Sequence, residues 1–201
     1  MATLSQMLSQ LVIFTTLIFC VALLIISIYP GAIDSLLFAV TLVSIVCVPI
    51  FVVVGIIVLV VLGRRGKLRS IKIPSRIVVA ITGMLLVSYI LLKFYIPRRL
   101  AFMVSQSAFE QVTVQLPVSG TEKMTLNRKL GFYEVDEYAN DSRGGVYFRV
   151  FSGGSGFGPD VTSYGFAYRP NRKGSPFGAA GYQVFELSDD WYWFRVSDDF
   201  W

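Results

Sequence analysis

The spacing of hydrophobic positions in this chain changes near residue 97. Before it they form three unbroken runs; after it they alternate with polar residues in short stretches bounded by Gly, Asn, Asp and Pro. Residues 11–29 contain 19 positions without a charge, close to the roughly 20 apolar residues that a helix needs to cross a bilayer. Residues 1–10 carry no Lys or Arg, which argues against a cleaved leader. Tyr29-Pro30-Gly31 then breaks the helix, because Pro cannot continue the ladder and Gly supplies the turn. The second run, residues 36–62, would reach about 40 Å as a helix against roughly 30 Å of hydrocarbon, so it tilts or bends, with Pro49 as the expected kink. The third run, residues 77–96, ends at Pro97. The pattern predicts a membrane region over 1–97 with three transmembrane helices.

Residues 98–111 lack Gly and Pro and place Leu100, Met103, Val104 and Ser107 on one helical side, which predicts a short helical linker. From residue 112 the texture is that of strands: 112–116, 130–138, 145–151, 163–169, 181–187 and 190–196. Their short spacing predicts a small α+β domain over 112–201, mainly an antiparallel meander of five or six strands backed by one short helix. The closest pair is the last, turning near Ser188-Asp189.

Alternation sorts the strand faces. Val146, Phe148 and Val150 oppose Tyr147 and Arg149; Tyr164, Phe166 and Tyr168 oppose Gly165, Ala167 and Arg169; Tyr192, Phe194 and Val196 oppose Trp191, Trp193 and Arg195. If each all-apolar set faces the core, one second face collects Tyr147, Arg149, Arg169, Trp191, Trp193 and Arg195. Arg over Trp is a favourable cation–π arrangement, and Trp, Tyr and Arg dominate binding hot spots, so this face is the candidate partner-binding surface. The competing reading is that the same residues stack as structural cross-strand pairs under the helix or pack on the membrane half.

Charge adds a topology. Net charge is +5, but residues 1–100 carry nine basic residues and one acid, Asp34, whereas residues 101–201 carry nine basic residues and twelve acids. The positive charge clusters beside the membrane runs, which sets aside nucleic acid as a partner. Arg64, Arg65, Lys67, Arg69, Lys72 and Arg76 fall in residues 63–76 without one acid. The positive-inside rule therefore places this loop and the N-terminus in the cytoplasm and the β domain outside it. Lys93, Arg98 and Arg99 at the other end of the third run oppose the rule but are outnumbered. The six basic residues are also a candidate site for anionic lipid headgroups.

Chemistry is sparse. There is no His, so the usual proton shuttle and the commonest metal ligand are missing, and both cysteines, Cys20 and Cys47, lie within the apolar runs. The glycine-rich residues 152–159 lack the Lys-Ser/Thr ending of a phosphate loop. The echo Ser188-Asp189-Asp190 and Ser197-Asp198-Asp199 reads as turn chemistry, since adjacent Asp residues in a strand point to opposite faces. Asn140-Asp141-Ser142 fits a glycosylation acceptor, meaningful only in a eukaryotic secretory pathway. No cofactor or metal is expected. The sequence thus points to a non-enzymatic, multi-pass membrane protein that binds lipids and another membrane or extracytoplasmic protein, or stabilises a membrane complex. A membrane-tethered enzyme using carboxylates is the alternative, and a small transporter or channel subunit a further one.

Overall fold

The computed structural model describes residues 2–34, 75–115, 123–154 and 161–198, together with 36, 39, 40, 45 and 53. Helix α1 runs over Ala2–Ile26. The hydroxyls of Thr15 and Thr16 donate to the carbonyls of Leu11 and Val12 at 2.9 and 2.8 Å, so both are satisfied within the apolar shaft. The helix ends where Ser27 Oγ turns back to the Leu24 carbonyl, and Gly31 at φ 84° redirects the chain.

Helix α2 covers Ser75–Lys93. Among the described residues it is the one helix long and apolar enough to cross a membrane by length and composition; the apolar stretch of α1, Gln10–Ile26, is shorter. The run predicted over 77–96 therefore corresponds to α2, and the run over 11–29 to the later part of α1 and the turn after it. The 36–62 run lies outside the described residues apart from isolated positions, as do Pro49, Cys47 and most of the basic loop.

Tyr95, in the left-handed region at φ 55°, separates α2 from helix α3, Ile96–Gln115. Pro97 sits in the first turn of α3, where a missing N–H costs nothing. This helix is longer than the 98–111 linker expected, and it faces the other way. Its buried side is Arg98, Ala101, Phe102, Ser105, Phe109 and Val112. Leu100, Met103 and Val104 are 58%, 60% and 72% exposed, and Ser107 is exposed too. Two apolar stripes compete on α3, and the one carrying two phenylalanines buries the larger area against the sheet.

Six strands form one antiparallel sheet: β1 Lys123–Leu130, β2 Tyr133–Asn140, β3 Val146–Gly154, β4 Val161–Tyr168, β5 Ala180–Ser188 and β6 Trp191–Ser197. The residues 112–115 expected in a first strand are helical, within α3. The actual first strand, KMTLNRKL, has a mostly solvated edge and no apolar run to betray it. The order β1-β2-β3-β4-β6-β5 departs from a meander at the end, because β6 inserts between β4 and β5.

Both sheet faces are covered. On one, Phe102 and Phe109 of α3 meet Phe166, with ring centroids 4.7 and 5.4 Å apart, and Trp191, at 5.3 and 5.9 Å. Burying each phenylalanine contributes about 1.5–3 kcal/mol. On the other, Ala139, Tyr147, Ala167, Phe194 and Val196 form a smaller cluster with Phe177 from the β4–β5 connection. That connection is tied down by Tyr147, whose hydroxyl accepts from Asn171 N–H at 2.8 Å, and by Tyr182, whose hydroxyl donates to the Asn171 carbonyl at 2.8 Å.

Candidate functional site

The pairing register divides the predicted recognition face between the two sides of the sheet. Tyr147 lies opposite Ala167 and Arg149 opposite Gly165, on the side away from α3. Trp191, Trp193 and Arg195 lie opposite Tyr168, Phe166 and Tyr164, whose rings belong to the α3 side. The alternation within each strand is as read, but the expectation of one shared, exposed face is corrected. Alternation says which residues of a strand go together; the cross-strand pairing says which side of the sheet they take. Tyr147, Trp191 and Trp193 are 0%, 2% and 6% exposed. Arg149 pairs with Asp136 and Glu137 at 2.9 and 3.1 Å, and Arg169 with Asp190 at 2.6 Å in an exposed turn.

Of the basic loop, Arg64, Arg65, Lys67, Arg69 and Lys72 lie outside the described residues, and Arg76 is an exposed residue in the first turn of α2. Asp189, at φ 45°, makes the β5–β6 turn. Asp141 is a buried turn carboxylate: burial pushes its pKa up, but hydrogen bonds from the backbone and guanidinium of Arg143 outweigh this and hold it below the usual range. Among the described residues no three His, Cys, Asp or Glu side chains gather to hold a metal.

The structure instead builds a site where the helices meet the sheet, combining Trp193 and Arg195 of the predicted face with residues that sequence reasoning left unassigned. The turn after α1 is clamped to the domain. Tyr29 donates its hydroxyl to the Phe132 carbonyl at 2.7 Å, and its ring meets Tyr133 edge-on at 5.5 Å. Tyr164 donates to Asp34 Oδ2 at 2.8 Å, with Arg195 Nη1 3.7 Å from the same oxygen. Burial, reinforced by the Asp34 carboxylate, pushes the Tyr164 hydroxyl above its ordinary pKa, so it stays a donor. A Cβ on Gly31 would stand 2.6 Å from the Tyr164 ring, so glycine there permits the approach as well as the turn.

Beside this clamp lies a cleft of about 590 Å³. Its floor is Trp193, which stacks on Phe185 at 4.2 Å and 9° and meets Tyr95 edge-on at 5.2 Å. Arg98 lies above, its Cζ 4.3 Å from the Trp193 ring centre and 5.5 Å from that of Tyr95. Arg98 is 5% exposed, and its guanidinium donates to the Tyr29 carbonyl at 3.5 Å. Its Nε and Nη1, and Nε1 of Trp193, have no hydrogen-bond partner among the described residues. Desolvation lowers the Arg98 pKa to about 10. The fold therefore bears the cost of this charge at every pH below about 10, and the cost fades only as pH rises above that.

The remaining walls have two characters. Leu23 and Leu92 from the helix ends, with Ile33 and Leu36 from the chain after α1, supply an apolar side, while Lys93, Arg195 and Asp34 add charge. The sequence held two hints of this site: Asp34 is the sole acid of the first hundred residues, and Arg98 follows the proline that closes the third apolar run. No protein-family model, curated protein or solved structure matches this chain.

Proposed function

We propose that this chain is a non-enzymatic, multi-pass membrane protein whose β domain lies outside the cytoplasm and binds a ligand in the cleft between the sheet and the outer ends of its helices. One observation carries the reading: a buried cation with two unbonded nitrogens stands over an aromatic floor beside a cleft that also has an apolar wall. Such a constellation has donors to orient a ligand. Native mass spectrometry of the full chain, extracted in mild detergent, should show a small-molecule adduct of one copy per chain. Gln183→Trp, placed at the exposed rim, should remove it. An adduct that survives Gln183→Trp would place the ligand elsewhere.

The orientation and the three spans rest on the basic residues of 63–76 and on the apolar runs. A membrane-impermeant maleimide should label Arg172→Cys, in a cysteine-free background, on intact spheroplasts, and Lys67→Cys only after lysis. The reverse pattern would invert the topology.

A second reading, a subunit of a membrane complex, is favoured by the outer stripe of α3, where Leu100, Met103, Val104 and Val114 are all exposed.

A further inference from the structure

Donors buried beside the cleft lack a matching acceptor. Arg98 Nε and Nη1 and Trp193 Nε1 can only donate, and none has a partner among the described residues. A buried charge left unpaired is costly, so the complementary group is an acceptor that brings negative charge. The walls agree in sign: Arg98, Lys93 and Arg195 face a single acid, Asp34, whose carboxylate is already engaged by Tyr164 and Arg195. A guanidinium is also the side chain best suited to phosphate oxygens.

Size and polarity narrow the class. About 590 Å³ falls among ordinary small-molecule sites and is far more than a free phosphate ion fills. The surplus is lined by Leu23 and Leu92, at the helix ends that would meet the headgroup layer, and by Leu36 after α1. We propose that the cleft binds the headgroup of an anionic phospholipid, its phosphate oxygens accepting from Arg98 and Trp193 and its acyl chain lying along the leucine wall. This rests on the reading of the chain as a membrane-anchored binding protein. The cationic head of a zwitterionic lipid would sit among like charges, so the cleft selects for net negative charge.

The test uses the full chain, stripped of lipid and placed in nanodiscs of phosphatidylcholine, alone or doped with phosphatidylglycerol. Melting temperature and native mass spectrometry are read together. Phosphatidylglycerol should raise the melting temperature, because a ligand that binds the folded state stabilises it, and one phosphatidylglycerol should be retained per chain. Arg98→Met removes the charge while keeping a long apolar side chain, and should weaken phosphatidylglycerol retention about tenfold or more. Lys93→Gln, at an exposed position, gives a milder version should Arg98→Met fold poorly, with retention reduced several-fold. Arg172→Gln, on a distant exposed turn, should change nothing.

Equal retention of both lipids would overturn the charge selectivity while leaving a ligand-binding cleft in place. No adduct and no shift with either lipid would remove the binding reading as well. A shift reproduced by inorganic phosphate in phosphatidylcholine discs would assign the cleft to a free anion and overturn the lipid. Retention of the phosphatidylglycerol preference in both Arg98→Met and Lys93→Gln would show that these cations do not hold the headgroup.

Discussion

Gly165→Ala is expected to prevent normal closure of the sheet, at a cost of about 3 kcal/mol or more, at or beyond the upper end of ordinary overpacking. Gly165 lies opposite Arg149 on β3, next to the register shift that falls between Arg149 and Phe151. A Cβ there would run into the carbonyl oxygen of Phe148 and stand 2.9 Å from the Phe194 ring. The ring can move, but the carbonyl belongs to a backbone held by strand pairing and cannot turn aside as a rotamer does. Relief would require β3 and β4 to separate, and these two strands carry Phe148 and Phe166 of the core. Gly83→Ala is the control. It lies in α2 with nothing among the described residues within 4 Å of an added Cβ, and should be neutral or stabilising by about 1 kcal/mol through helix propensity. Thermal melts of the two variants in the same detergent check the pair. A Gly165→Ala protein melting with the parent would refute the close approach of β3 and β4.

Trp193→Ala should lower stability by about 3–5 kcal/mol, the range for truncating a buried Trp. The side chain is 6% exposed, stacked on Phe185 and roofed by Arg98. Removing the indole therefore opens a void in the sheet and takes away the aromatic surface against which the Arg98 charge rests, worth roughly 0.5–2 kcal/mol as a cation–π contact. Trp193→Phe keeps a ring in place and should recover much of the loss. A chemical denaturation midpoint unchanged in Trp193→Ala would place Trp193 at the surface, where the alternation pattern alone had put it. Since the same residue floors the cleft, retained phosphatidylglycerol binding in the folded fraction of Trp193→Ala would separate its structural part from its binding part.

Several elements were legible in the residues themselves. Helix α2 and the later part of α1 follow from apolar runs of near-spanning length, and five of the six strands follow from alternating apolar stretches bounded by turn residues. The β5–β6 turn is visible as Ser188-Asp189-Asp190, because Asp tolerates the left-handed backbone that Asp189 adopts. Strand β1 was not legible: an edge strand with solvated sides needs no apolar run, so its composition resembles that of a loop. The buried side of α3 was not legible either, since Leu100, Met103 and Val104 give as good a helical stripe as Phe102, Phe109 and Val112.

What the sequence determined by itself was local. It set which residues share a side within one strand, where the chain turns, and where long apolar segments lie, because each depends on neighbours a few positions away. Only the tertiary structure decided which side of the sheet each strand presents. Tyr147 with Arg149 and Trp193 with Arg195 ended on opposite faces because β6 pairs with β4 in the register that sets Trp193 against Phe166. The cleft is of the same kind. Asp34, Arg98, Tyr164 and Trp193 are scattered over 160 residues and meet only when the turn after α1 docks on β2 and β4, so no local pattern could mark them as one site.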